Sequence, residues 1–217
     1  MELANYIEHT NLKPDATGKD MEKLVLEAAN YNFFGVCVNP HYVKLAKELV
    51  QKSEKDIKVV CVVNFPLGAN QIDTTLAQIK EAIIEGADEI DTVINIGAIK
   101  EGNYEKVTNE LVAQKRAVHN QILKVILETD LLTPDEIKKA CLCCVTAKVD
   151  FVKTSTGFVK NGVGATLENV KLMYDTVNKY GLKVKASGGI KSKLMAQDLI
   201  NAGASRLGTS SGVQLIN

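Results

Sequence analysis

The chain has 217 residues, 46% hydrophobic and 24% charged, which is ample for one sizeable core. Twenty-six basic residues balance 26 acidic ones, so there is no basic footprint of the kind that draws a protein to nucleic acid or an anionic membrane. No apolar run approaches the roughly 18 residues of a membrane span, and the start, Met-Glu-Leu-Ala-Asn-Tyr-Ile-Glu, does not read as a leader. The expectation is a cytoplasmic protein with neither nucleic acid nor membrane as partner.

Taken in chain order, short β-rich runs alternate with longer stretches of helical period. Strands are expected at 6–9, 35–39, 58–65, 89–95, 123–129, 151–156, 183–187 and 206–208. Amphipathic helices are expected at 20–31, 41–52, 73–85, 104–119, 134–147, 167–180 and 193–201. Thr133-Pro134-Asp135-Glu136 reads as a helix start, with Thr as N-cap, Pro at the first helical position and Glu at the third. Gly86 and Gly181 suit helix ends. Eight βα units without a linker argue for one α/β domain over 1–217, a (β/α)8 TIM barrel. The rival, an open doubly wound sheet, predicts a Gly-rich fingerprint after the first strand, and none is there. The nearest imitation, Gly162-Val-Gly164-Ala-Thr-Leu167, follows a late strand and lacks the third glycine.

Five cysteines, at 37, 61, 141, 143 and 144, read as reduced thiols, and the Cys-Leu-Cys-Cys cluster as small core residues of a helix. Cys37 falls at the end of a strand facing the barrel mouth, as a small core residue or a thiol open to aldehydes. His9, His41 and His119, in a strand, a helix start and a helix, show no metal-ligand spacing. No metal or other cofactor is expected.

Lys153 and Lys185 interrupt two apolar stretches, Asp-Phe-Val-Lys-Thr-Ser-Thr-Gly (150–157) and Lys-Val-Lys-Ala-Ser-Gly-Gly (183–189). A lysine in apolar surroundings beside a second cation is destabilised as an ammonium by desolvation and by repulsion, and a free amine attacks carbonyls. Strand alternation puts Phe151, Lys153 and Ser155 on one face, Lys183, Lys185 and Ser187 on one, and Glu89, Asp91, Val93 and Asn95 on one. Lys153, Lys185 and Asp91 thereby share one small volume near the mouth, with Asn39 and Asn64 ending two further strands. Ser155, outside any nucleophile elbow, reads as polar lining. After strands seven and eight come Ser187-Gly188-Gly189 and Gly208-Thr209-Ser210-Ser211-Gly212 with a helix-like tail, the places where such barrels hold phosphate.

These two lysine motifs, with Glu-Ile-Asp-Thr-Val-Ile-Asn (89–95), Val-Cys-Val-Asn-Pro (36–40), Phe-Pro-Leu-Gly (65–68) and Tyr-Ile-Glu-His-Thr (6–10), resemble the motif set of the deoxyribose-phosphate aldolases over nearly the whole chain. The resemblance implies a metal-independent class I lyase that cleaves 2-deoxy-D-ribose 5-phosphate to acetaldehyde and D-glyceraldehyde 3-phosphate in deoxyribonucleotide catabolism. It implies Lys153 as Schiff-base nucleophile, Lys185 as the neighbouring cation, Asp91 as the proton-moving carboxylate and Glu8 in support. Gly188, Gly189, Ser210 and Ser211, with the adjoining Thr156, Gly157 and Gly208, would hold the phosphosugar. A homo-oligomer, dimer or tetramer, is expected. Two positions depart from the pattern: Glu8 stands where Asp is usual, and Asn64 where Gly is common, adding a side chain near the mouth. The alternatives are another sugar-phosphate barrel enzyme, of transaldolase-like or isomerase type, and a non-catalytic phosphosugar binder; a metal-dependent aldolase is disfavoured by the histidine spacing.

Overall fold

The computed structural model describes residues 2–217. Eight parallel strands close on themselves in sequence order: β1 (Ile7–Asn11), β2 (Gly35–Val38), β3 (Lys58–Val63), β4 (Glu89–Val93), β5 (Ile122–Ile126), β6 (Phe151–Lys153), β7 (Lys183–Ser187) and β8 (Ala204–Thr209). β8 returns to pair with β1, Glu8 opposite Gly208. The helices are α1 (Gly18–Asn30), α2 (Val43–Ser53), α3 (Ile72–Ile84), α4 (Ile96–Lys100), α5 (Tyr104–Ala117), α6 (Pro134–Thr146), α7 (Leu167–Val177), α8 (Lys193–Asn201) and α9 (Gly212–Ile216). The expected (β/α)8 barrel is the observed fold.

Local chemistry sets the element ends. Thr133 and Glu136 form a capping box at the start of α6 with Pro134 at the first position, satisfying amides that the helix leaves free. Gly86 and Gly181 lie at φ +105° and +84° after their helical segments, where a side chain would be strained. The stretch expected as one helix over 167–180 is α7 plus a 3-10 turn at Asn178–Tyr180. His119 falls outside α5, at φ +52°. The short α4 was not expected: Asn95, read as an inward strand residue, instead caps it, its side chain accepting from the Ala98 amide. Likewise β6 ends at Lys153, so Ser155 and Thr156 lie in the loop that follows.

Two apolar regions follow from strand alternation. The outward faces, with residues such as Val36, Val59, Ile90, Leu123, Val152 and Val184, pack under the helices in one large core. Among the inward residues, Leu12, Cys37, Val60 and Val62 meet with Phe65 in a second, smaller apolar cluster. Cys37 is fully buried there, and burial pushes its thiol up, so it faces no aldehyde as a thiolate. Cys141, Cys143 and Cys144 are buried on α6, as a helix core reading requires, with the Cys141 thiol pushed by burial up to about 12. Asn64 corrects its expectation. It sits at φ +53°, a left-handed position that Asn tolerates better than most residues. Its amide donates to the Val93 carbonyl at 3.0 Å and its side-chain oxygen accepts from the Asn70 amide at 2.9 Å. The side chain therefore ties the loop to β4 instead of projecting into the mouth.

Candidate active site

Beside that cluster the barrel interior holds a group of buried charges. Lys185 on β7 reaches Asp91 on β4, three strands away round the barrel, which only a path through the interior allows. Asp91 is the hub. Its Oδ2 accepts from Lys153 Nζ at 2.8 Å and from Lys185 Nζ at 2.7 Å, while Oδ1 accepts from Lys124 Nζ at 2.9 Å. Glu8 pairs with Lys185 and lies 3.4 Å from Lys124, which also meets Glu89 at 2.5 Å. Three ammonium groups thus face three carboxylates, all drawn from inward positions of β1, β4, β5, β6 and β7.

Balance of this kind is what makes buried charge tolerable, since an unpaired ion in the interior costs several kcal/mol. It also sets the ionisation of the hub. Burial alone would push the Asp91 carboxyl up, but Lys124, Lys153 and Lys185 together outweigh it and hold the group well below the usual carboxylate range. Burial acts against the charge of Lys124 and Lys185 too, and there Asp91 and Glu8 prevail, holding both ammonium groups above the ordinary lysine range. A carboxyl with a depressed value contributes stability above its unfolded value, near 3.8, and loses it as pH falls through the lower folded value. Below about pH 4, the urea midpoint of the parent is therefore expected to fall more steeply with pH than that of Asp91→Asn. Parallel slopes in the two proteins would mean that Asp91 is not held ionised by the lysines.

The expected grouping of Lys153, Lys185, Asp91 and Glu8 is present, with one correction. The surroundings of Lys153 are not apolar: its ammonium meets a carboxylate as well as a neighbouring cation. The three lysines are also held unequally. Lys124 has three carboxylate partners, Lys185 two and Lys153 one. Lys124 and Lys185 are wholly buried, whereas Lys153 is 3% exposed and borders a cleft of about 550 Å³.

That cleft lies at the carboxyl ends of the strands. Thr156, Gly157, Gly188, Gly189, Gly208, Ser210 and Ser211 all line it, beside Ser155, Ser187 and Lys191. Their local roles differ. Gly188 and Gly189 turn at φ +86° and +74°. Gly208 leaves room for a lysine, since a Cβ there would stand 3.1 Å from Lys185 Cε. Thr156 borders the cleft, yet its amide and hydroxyl both donate to Glu128, so these donors are committed to the protein. Burial pushes the Glu128 carboxyl up against the effect of those two bonds. The amide of Ser211 is likewise engaged by Thr209 Oγ1.

The sequence reading missed Lys124, Glu128 and Lys191. Lys124 carried the same signal as the other two lysines, an isolated cation inside an apolar strand, Ile-Leu-Lys-Val-Ile. Glu128 sits at φ +60° just past β5, where only the fold reveals its partner. Among the described residues no three His, Cys, Asp or Glu side chains are grouped to hold a metal ion, and no helix is long and apolar enough to cross a membrane.

An ammonium cluster opening at one lysine beneath a glycine-rich mouth is suited to carbonyl chemistry on a small anionic substrate, and the relatives agree. A protein from Clostridium botulinum named deoxyribose-phosphate aldolase is 50% identical over 216 residues, covering all of both chains. One of that name from Thermococcus gammatolerans is 47% identical over 218 residues, covering all of this chain and 96% of its own. Among solved structures, an aldolase called QR15 superposes with a TM-score of 0.93 at 41% identity, covering 100% of this chain and 95% of its own. A tetrameric deoxyribose phosphate aldolase from Aeropyrum pernix does so at 0.87 and 32% identity, covering 99% and 89%. The model of the DeoC/LacD family of aldolases matches residues 3–215, and the chain belongs to that family.

Proposed function

We propose that the chain cleaves 2-deoxy-D-ribose 5-phosphate reversibly to D-glyceraldehyde 3-phosphate and acetaldehyde, through a Schiff base on Lys153. The observation that carries this reading is that Lys153 alone of three clustered lysines borders the cleft, with a single carboxylate partner. Its amine is the one a substrate in the cleft can reach. The free amine adds to the C1 aldehyde of the open-chain sugar, and the carbinolamine loses water to give an iminium ion. A base then takes the C3 hydroxyl proton, the C2–C3 bond breaks, and its electron pair enters the enamine. Glyceraldehyde 3-phosphate leaves, the enamine is protonated at C2, and water releases acetaldehyde and the amine. The iminium is the electron sink, so the bond can break without a metal ion.

Asp91 is the group best placed to pass these protons, since its Oδ2 touches Lys153. Its low proton affinity suits a relay that returns protons through Lys153, which borders the cleft, and does not keep them. Lys124 and Lys185 hold it ionised, and Glu8 anchors Lys185 from a position with no access to the cleft. The glycine turns at Gly188–Gly189 and the loop from Gly208 to Ser211, with Gly157, would hold the phosphate through backbone amides and hydroxyls, orienting C1 toward Lys153. The names of the relatives support this substrate, and the five free cysteines fit a role in cytoplasmic deoxyribonucleotide breakdown. The tetrameric relative supports a homo-oligomer.

The test is borohydride reduction in the presence of 2-deoxyribose 5-phosphate or acetaldehyde, followed by peptide mass mapping. The expected product is a stable adduct on Lys153. A folded protein that binds the phosphosugar but traps no adduct would overturn the reading.

A further inference from the structure

The glycine-spaced segment that imitates a nucleotide fingerprint has a different use. Asp130, in the turn that follows β5, accepts from the Val163 amide at 3.1 Å and from the Gly164 amide at 2.9 Å. A Cβ at Gly162 would stand 2.8 Å from Asp130 Oδ2, so the carboxylate seats against a bare backbone. The clamped segment in turn lies against the Gly188–Gly189 turn. Gly164, at φ +76°, packs so closely that a Cβ there would come within 2.4 Å of the Gly188 carbonyl, and the Ala165 amide donates to that carbonyl at 3.0 Å. A Cβ on Gly189 would meet the Val163 carbonyl at 2.5 Å. Residues 163–165 are thus a backing for the turn, and Asp130 is what holds the backing. Asp130 itself does not line the cleft.

We propose that Asp130 is a positioning residue that sets the preference for phosphorylated over unphosphorylated aldehyde substrates, by bracing the Gly188–Gly189 turn through Val163–Ala165. This rests on the reading that the phosphate binds at that turn. An anion site made of backbone amides works only while the amides stay aimed at one point. Charge-assisted bonds from a carboxylate to two consecutive amides give the backing a rigidity that a neutral acceptor would not. A turn that must be ordered by the ligand lowers affinity for the phosphate, while Lys153, on another strand, keeps its own geometry.

The test compares kcat and KM for 2-deoxyribose 5-phosphate and for 2-deoxyribose in the parent, Asp130→Asn and Asp130→Ala, with thermal unfolding to check that each is folded. In Asp130→Ala, kcat/KM for the phosphorylated sugar should drop on the order of tenfold, mainly through KM, and that for 2-deoxyribose should change less than about twofold. Asp130→Asn retains one acceptor oxygen and should fall between. Equal losses on both sugars, or none on either, would overturn the role of Asp130. A parent with no preference for the phosphorylated sugar would instead sink the phosphate-site reading beneath it. Should the alanine variant unfold, the asparagine variant decides alone, since it must shift the same ratio in the same direction.

Discussion

Lys153→Leu is expected to leave a folded barrel whose turnover of 2-deoxyribose 5-phosphate falls on the order of 10⁴-fold or more, as removal of a covalent nucleophile does elsewhere. Leucine fills much of the volume of the lysine stem and adds no polar group. The substitution leaves two ammonium groups facing three carboxylates, and Asp91 keeps Lys124 and Lys185 as partners. The fold therefore tolerates the change, which circular dichroism and thermal unfolding would check.

No neighbour can take over. Lys185 is the nearest candidate, since it shares Asp91 Oδ2 with Lys153. It is fully buried, paired with both Glu8 and Asp91, and held protonated by them. An amine that is neither free nor reachable does not add to an aldehyde. Residual turnover within about 100-fold of the parent would mean that another group supplies the nucleophile and that the cleft lysine has a lesser part.

The barrel was legible because parallel βα units write their period into the chain: apolar β-branched runs, then helical spacing, eight times over. What was lost lies at element ends. Asn95 read as a strand residue because alternation does not say where a strand stops, and its side chain is a helix cap only once Ala98 has turned back toward it. Asn64 read as an intrusion at the mouth because its left-handed backbone, which directs the side chain to β4, is invisible in the residue name.

The candidate site was legible where a residue type clashed with its setting. Lysines and carboxylates inside apolar strands announce a charged interior, and β4, β6 and β7 each gave up one member that way, whereas Glu8 on β1 came from the family resemblance. The reading faltered where partners come from loops. Thr156 was set at the phosphosugar by the family resemblance, and its commitment to Glu128 depends on a contact between residues 28 positions apart. Asp91 was already placed near Lys153 by strand alternation; that its carboxylate meets the ammonium directly shows only once β4 and β6 share one barrel interior.

Lys124 tests that closure most severely. It has no route to the cleft and three carboxylate neighbours, so Lys124→Met removes a cation from a place that water does not reach. Breaking one side of a buried ionic group costs about 3–5 kcal/mol, a large part of the 5–15 kcal/mol that holds a typical domain together. The unfolding midpoint is expected to fall by roughly 6–20 °C for a chain of this size. Adding Glu89→Gln, which neutralises the carboxylate 2.5 Å from the lost ammonium, should recover part of that fall. Activity should change in a specific direction as well. With one of its three cations gone, Asp91 is less strongly held ionised, so the acid limb of the kcat/KM profile should move to higher pH. A midpoint within about 2 °C of the parent, or an acid limb that stays in place, would show that Lys124 does not share the charge of Asp91. The same ions would then have to be balanced by protonation within the cluster, and the proton relay assigned to Asp91 would lose its physical basis.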